Sequence, residues 1–145
     1  MCLLLRRSKI KMASTVPLMI AIYDNPGIKH WSLFIDAEEK PAKTIIHLLG
    51  ARQRYFRDVR TPSDARNSAS VVELCALCEI DASKIETIKN IAWETPVRNE
   101  EPDYSCQDFV LDVLEGLERA DIVDAENPDY QRNKGIVKAK REAWK

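Results

Sequence analysis

The order of strand-like and helix-like patterns along the chain constrains its fold more than any other feature. Helical periodicity begins after a predicted capping box at Ser83 and Glu86, and resumes at Ser105 and at Asn127. Upstream of it, apolar or β-prone runs that end at turn signals occupy residues 16–23, 30–35, 44–49, 52–60 and 71–80. Strands followed by helices indicate the α+β class. We therefore expect an antiparallel sheet of about four to five strands packed against two to three helices.

Length and charge narrow the range of functions. The chain has 145 residues and reads as a flexible tail, 1–14, followed by a single domain, 15–145. A net charge of −1 leaves no excess of cations for phosphate neutralisation, so nucleic acid is not an expected partner. No apolar run is long enough for a transmembrane segment. The short apolar start of the chain comes before its positive charges, which is the reverse of the order in a signal peptide. This order predicts a cytoplasmic protein.

A cysteine stands in the first turn of the most clearly marked helix. Ser105 reads as its N-cap, and Asp108 completes a capping-box pair. The unpaired N–H groups of a helix N-terminus favour the reactive thiolate and can hold an oxyanion. Cys106 is therefore a candidate nucleophile, and Ser105 and Gln107 are candidates for contacts to the oxyanion. The alternative is a cysteine that simply packs in the core.

The chain has two histidines, and both lie upstream of Cys106. His30 begins a strand directly after a turn, and an imidazole there can take the thiol proton and return it to a leaving group. His47 lies on the following strand and is a candidate to orient His30. Asp24, in the turn before His30, and Trp31, directly after it, are candidates for substrate contacts. A turn cap explains Asp24 equally well, and Trp31 fits a core position better.

Two further cysteines form a C-x-x-C sequence at Cys75 and Cys78. A zinc site needs two more ligands at compact spacing, and none lies nearby in the sequence. The pair sits in an apolar, strand-like run, which favours two packed thiols, and a redox pair is the alternative. No metal or organic cofactor is expected.

Two short motifs together resemble the circularly permuted papain-like group, which includes lecithin:retinol acyltransferase-like and PPPDE-type proteins and is related to NlpC-type enzymes. The motifs are His30-Trp31-Ser32-Leu33-Phe34-Ile35 and Ser105-Cys106-Gln107-Asp108-Phe109-Val110. In that group a strand histidine comes first and a nucleophilic cysteine follows at a helix start. The resemblance implies a permuted papain-like arrangement with Cys106 as nucleophile, His30 as base and His47 as the third polar residue. Ser105 departs from the asparagine that is usual before the cysteine.

These features predict a thiol hydrolase or acyltransferase that forms an acyl-enzyme on Cys106. The bond that Cys106 attacks would be an amide or isopeptide bond, or a (thio)ester. The substrate would be a peptide, a protein or a small acyl compound. The alternative is a catalytically inactive papain-like binding module. A Cys106 thiol with no histidine in reach favours that alternative.

Overall fold

A computed structural model describes residues 14–144 and confirms the α+β class. Most of the predicted tail, 1–14, lies outside the described residues. The strands are β1 (Thr15–Tyr23), β2 (His30–Ile35), β3 (Thr44–Leu49), β4 (Phe56–Arg60) and β5 (Val71–Asp81). The α-helices are α1 (Ile85–Glu94), α2 (Cys106–Arg119) and α3 (Pro128–Lys138). No helix within residues 14–144 is long and apolar enough to cross a membrane.

The five strands form one antiparallel sheet in the order β4-β3-β2-β1-β5, with β2 at its centre. Its register places Tyr23 opposite His30 and Ser32 opposite His47. Asp58 on β4 lies opposite His47 on the other side of β3. Side chains of paired residues point to the same face of a sheet. The register therefore gathers polar side chains from four adjacent strands on one face.

The helices pack on the other face of the sheet. The α2 helix contacts β2 and β3, α1 contacts α2, and α3 contacts β5. As the period of two predicts, Trp31, Leu33 and Ile35 point into the main core between sheet and helices. The opposite face carries a smaller apolar cluster that includes Tyr23 and Phe34. The histidine side chains therefore lie on the face away from the helices, at the end of β2 that α2 approaches.

The start of the first helix differs from the expectation. The side chain of Asp81, rather than Ser83, caps the entry to the first helix by accepting a hydrogen bond from the Ser83 N–H at 2.8 Å. A 3-10 turn follows, so α1 begins at Ile85.

The cysteines of the C-x-x-C sequence, Cys75 and Cys78, are free and half-buried on the edge strand β5. Burial raises the pKa of both thiols to about 11, which is typical of unreactive packed cysteines.

Phe109 on α2 provides a test of the core. Its side chain is fully buried, so Phe109→Ala is expected to lower the free energy of unfolding by about 3–5 kcal/mol. The matched control is Phe56→Ala, because Phe56 is 56% exposed and its removal is expected to cost less than about 0.5 kcal/mol. Urea unfolding of the two variants measures both values. Equal losses would contradict this assignment of the core.

Candidate active site

Cys106 is the first residue of α2, as the capping pattern predicts. The Ser105 hydroxyl accepts a hydrogen bond from the Gln107 N–H at 3.1 Å. The Asp108 carboxylate accepts one from the Ser105 N–H at 2.9 Å, which completes the capping box. The start of the helix is thus defined to the residue, and the cysteine lies in its first turn.

The thiol of Cys106 is buried, with 5% of the residue exposed, and hydrogen-bonds the Lys29 carbonyl oxygen at 3.9 Å. Burial raises the pKa of this thiol above its ordinary value, although the backbone N–H groups of Trp31, Cys106 and Gln107 act in the opposite direction. Burial therefore outweighs the helix N-terminus, contrary to the expectation from sequence. The resting site holds a neutral thiol.

The two histidines belong to a continuous hydrogen-bonded chain across three strands. His30 Nε2 lies 2.9 Å from His47 Nδ1, and His47 Nε2 lies 2.8 Å from Asp58 Oδ2. Arg60 Nε donates to the same Asp58 oxygen at 2.6 Å. The Tyr23 ring packs against His30 with a centroid distance of 5.2 Å. The predicted contact between His30 and His47 is present, and Asp58 extends it beyond what the sequence indicated.

We call the hydrogen-bonded chain of His30, His47 and Asp58 the histidine relay. The protonation states of its members follow from their environment. Burial lowers the pKa of His30 to about 4, with a contribution from His47, and burial also lowers the pKa of His47. Burial alone raises the pKa of Asp58, but hydrogen bonds from His47 and Arg60 outweigh it and hold that pKa below its usual range. Near pH 7 the relay is therefore two neutral imidazoles that end at a carboxylate.

The carboxylate determines which ring nitrogens carry hydrogen. Ionised Asp58 can only accept hydrogen bonds, so His47 Nε2 is the donor and the neutral ring leaves Nδ1 as an acceptor. His30 Nε2 then donates to His47 Nδ1. A neutral His30 that carries its hydrogen on Nε2 has an unprotonated Nδ1. The relay therefore prepares His30 Nδ1 as a proton acceptor.

His30 and Cys106 line the same surface cleft, which has a volume of about 490 Å3. Arg52, Tyr55 and Trp144 are also in its wall. Among the described residues no hydrogen bond joins the thiol to the His30 ring, since the thiol donates to Lys29. The structure thus brings the predicted nucleophile and base to one cleft without forming the bond between them.

The remaining sequence candidates occupy other positions. Ser105 is fully buried in its cap, and Gln107 donates to the Lys29 carbonyl oxygen at 2.9 Å. The Gln107 side-chain oxygen accepts from the Glu142 N–H at 2.8 Å, so neither candidate side chain is offered to an oxyanion. Trp31 lies in the core with 1% exposure and does not reach the cleft, whereas Asp24 lines an adjacent cleft with His30 and His47.

A segment after α3, residues 139–144, crosses the start of the cysteine helix. The Arg141 guanidinium contacts both Asp108 carboxylate oxygens, at 3.0 and 2.9 Å. The Trp144 indole N–H donates to the Tyr104 carbonyl oxygen at 3.1 Å, and the Arg52 guanidinium lies 4.9 Å from the centre of the Trp144 ring. Only tertiary packing brings this segment to the cysteine helix, and no local sequence signal marks it.

Comparison with known proteins places the chain in a family. The model of a family of unknown function, DUF6540, matches residues 18–124, and the chain belongs to that family. The matched stretch contains His30, His47, Asp58 and Cys106. The α3 helix and residues 139–144 lie outside it. Neither the curated proteins nor the solved structures compared with the chain include a match.

The neutrality of His30 predicts a pH dependence of stability. Its pKa is about 4 in the folded protein and about 6.5 when unfolded, so the unfolded state binds more protons between these values. This group alone is expected to lower the free energy of unfolding by about 3 kcal/mol as the pH falls from 6.5 to 4. In His30→Gln the pH dependence should shrink accordingly, as urea unfolding at several pH values can show. The same pH dependence in both proteins would mean that His30 is not held neutral.

Proposed function

We propose that this protein is a cysteine-dependent hydrolase or acyltransferase in which Cys106 is the nucleophile and His30 the base. The observation that carries the proposal is the hydrogen-bonded chain from Asp58 through His47 to His30. His30, the last residue of this chain, shares a cleft with Cys106. Such a chain orients an imidazole and stabilises it when it takes up a proton. An amide or isopeptide bond is the first substrate class, and a (thio)ester the second.

The reaction starts with the transfer of the thiol proton to His30 Nδ1 as Cys106 Sγ attacks the carbonyl carbon. A carbon–sulfur bond forms, and the carbonyl π electrons move to oxygen. When the tetrahedral intermediate collapses, the carbonyl reforms and the bond to the leaving group breaks. The leaving group takes the proton from His30. Water or a second nucleophile then gives a proton to His30 and attacks the thioester carbonyl carbon. The carbon–sulfur bond breaks, and Cys106 Sγ takes the proton back from His30.

A small rearrangement connects the resting site to this reaction. The thiol must turn from the Lys29 carbonyl oxygen towards the cleft, and an S–H group is a weak hydrogen-bond donor. Contacts between a nucleophile and its base commonly tighten only when substrate binds. Closure of the cleft around a substrate therefore completes the pair of Cys106 and His30.

The order of the functional elements supports a permuted papain-like arrangement as part of this proposal. The base lies at the start of a central strand, and the nucleophile follows much later at a helix start. Cys75, Cys78 and Cys106 are all free, in keeping with a reducing, cytoplasmic setting. The net charge of −1 favours a peptide, protein or small acyl substrate over nucleic acid.

A second candidate function is a catalytically inactive binding module of the same fold. The burial of the Cys106 thiol, which raises its pKa, favours this candidate. The two candidates differ in whether Cys106 accepts an acyl group with the help of His30.

Acylation by p-nitrophenyl acetate is the first test, in a protein whose Cys2, Cys75 and Cys78 are replaced by serine. We expect one acetyl group on Cys106, detected by intact mass and peptide mapping. His30→Gln should lower the acylation rate by roughly 10²–10⁴-fold, because the thiol loses its general base. Asp58→Asn should cause a smaller loss, since it leaves His30 in place.

Asp64→Asn is the matched control for the charge change. Asp64 lines the cleft next to the relay but caps the Arg66 N–H and makes no hydrogen bond to either histidine among the described residues. Its acylation rate should equal that of the parent protein. If neither an acetyl group on Cys106 nor Cys106-dependent release of p-nitrophenol is found, or if His30→Gln reacts at the parent rate, the site is not a Cys–His pair and the binding module is the better description.

A further inference from the structure

A tight turn between β3 and β4 brings a tyrosine to the cysteine helix. Gly50 opens the turn with φ of +106°, and a Cβ atom there would lie 2.6 Å from the Arg54 carbonyl oxygen. Only glycine fits such a position without strain. The Arg54 N–H closes the turn on the Ala51 carbonyl oxygen at 2.8 Å. Tyr55 follows immediately, in the wall of the cleft that contains Cys106 and His30.

One side chain from the loop before α2 holds the backbone of Tyr55. The Tyr55 N–H donates to Asn99 Oδ1 at 2.8 Å, and Asn99 Nδ2 donates to the Tyr55 carbonyl oxygen at 2.9 Å. Its ring also packs edge-on against Tyr104, with a centroid distance of 6.1 Å. Asn99 and Tyr104 belong to the loop that leads into α2. The position of Tyr55 is therefore tied to the segment that positions Cys106.

The Tyr55 hydroxyl belongs to a side chain that shares the wall of the cleft with Cys106 and His30. Burial raises the pKa of this hydroxyl to about 12, and the Cys106 thiol acts in the same direction, while the Cys106 N–H opposes them. The hydroxyl consequently keeps its proton throughout the neutral pH range. It can accept a hydrogen bond from the Cys106 N–H and donate its own hydrogen into the cleft.

We infer that Tyr55 is a catalytic residue that donates a hydrogen bond to the oxyanion formed when Cys106 attacks a carbonyl group. The inference rests on the proposed function. The oxyanion is the former carbonyl oxygen of the substrate, and it forms next to the backbone N–H of the nucleophile's own residue. Tyr55 lines the same cleft wall as Cys106, whereas the side chains of Ser105 and Gln107 are engaged elsewhere.

The role of Tyr55 is electrostatic and leaves its own proton in place. As the carbon–sulfur bond forms, negative charge accumulates on the former carbonyl oxygen, and the O–H dipole stabilises that charge. When the intermediate collapses, the electron pair returns to the carbonyl and the hydrogen bond weakens. The proton that leaves Cys106 goes to His30, so the two residues act on different atoms of the same step.

Two reactions of Cys106 separate this role from any effect on the thiol. Acylation by p-nitrophenyl acetate forms an oxyanion, whereas alkylation by iodoacetamide displaces iodide at a saturated carbon and forms none. In the background that lacks the other three cysteines, Tyr55→Phe should lower the acylation rate by roughly 10²-fold. Its alkylation rate, and the pH dependence of that rate, should match those of the parent protein.

Tyr104→Phe is the matched control, because Tyr104 packs against Tyr55 but does not line the cleft. Both of its rates should equal those of the parent. If Tyr55→Phe acylates at the parent rate, or loses alkylation in the same proportion, Tyr55 does not bind the oxyanion and only this inference fails. If the parent is not acylated at Cys106 at all, the proposed function fails, and this inference with it.

Discussion

The docking of α2 on β2 and β3 is the contact on which the rest of the site depends. Its apolar face is completely buried, and this fixes the rotation of the helix about its axis because burial is favourable only for that face. The fully buried residues of this face are Phe109, Val110, Val113, Leu114 and Leu117. A polar contact adds the axial position, since Gln107 holds the Lys29 carbonyl oxygen just before β2 begins. Together they bring Cys106 to the start of the strand that carries His30.

The histidine relay depends on a different constraint, the register of the sheet. His30, His47 and Asp58 lie on three neighbouring strands, and backbone hydrogen bonds hold those strands in alignment. A slip of one residue in β3 would turn His47 towards the helices and break the chain at its middle. The base is therefore held by the sheet and the nucleophile by the helix. The cleft is the place where these two rigid parts meet.

Local patterns predicted those features that depend on neighbouring residues. The capping box of Ser105 and Asp108, the alternation around His30 and the adjacent strand of His47 all follow from periods and caps that operate over a few positions. Asp58 escaped prediction because its place depends on the length of the Gly50 turn and on the register of β4. That register is a tertiary property, and a lone aspartate among arginines gives no hint of it.

Two other discrepancies, at Cys106 and at Trp31, have separate physical causes. The helix N-terminus predicts a lowered thiol pKa at Cys106, but burial has the larger effect there. Trp31 follows His30 in sequence, yet the pleat of the strand sends it to the opposite face and into the core. Adjacency in sequence is thus a poor guide to shared function within a strand, where successive side chains face different surroundings.

The segment 139–144 has a practical consequence for work with this protein. Because Arg141 and Trp144 rest on the cysteine helix, a fusion partner or affinity tag joined after this segment would begin at the rim of the cleft. The nine residues of β1 separate Thr15 from the end of the sheet that carries the histidines. The eight steps from Thr15 to Tyr23, at about 3.3 Å each, span roughly 26 Å. Thr15, at the far end of β1 from the histidines, is therefore a better point for joining tags and immobilisation linkers than the segment 139–144.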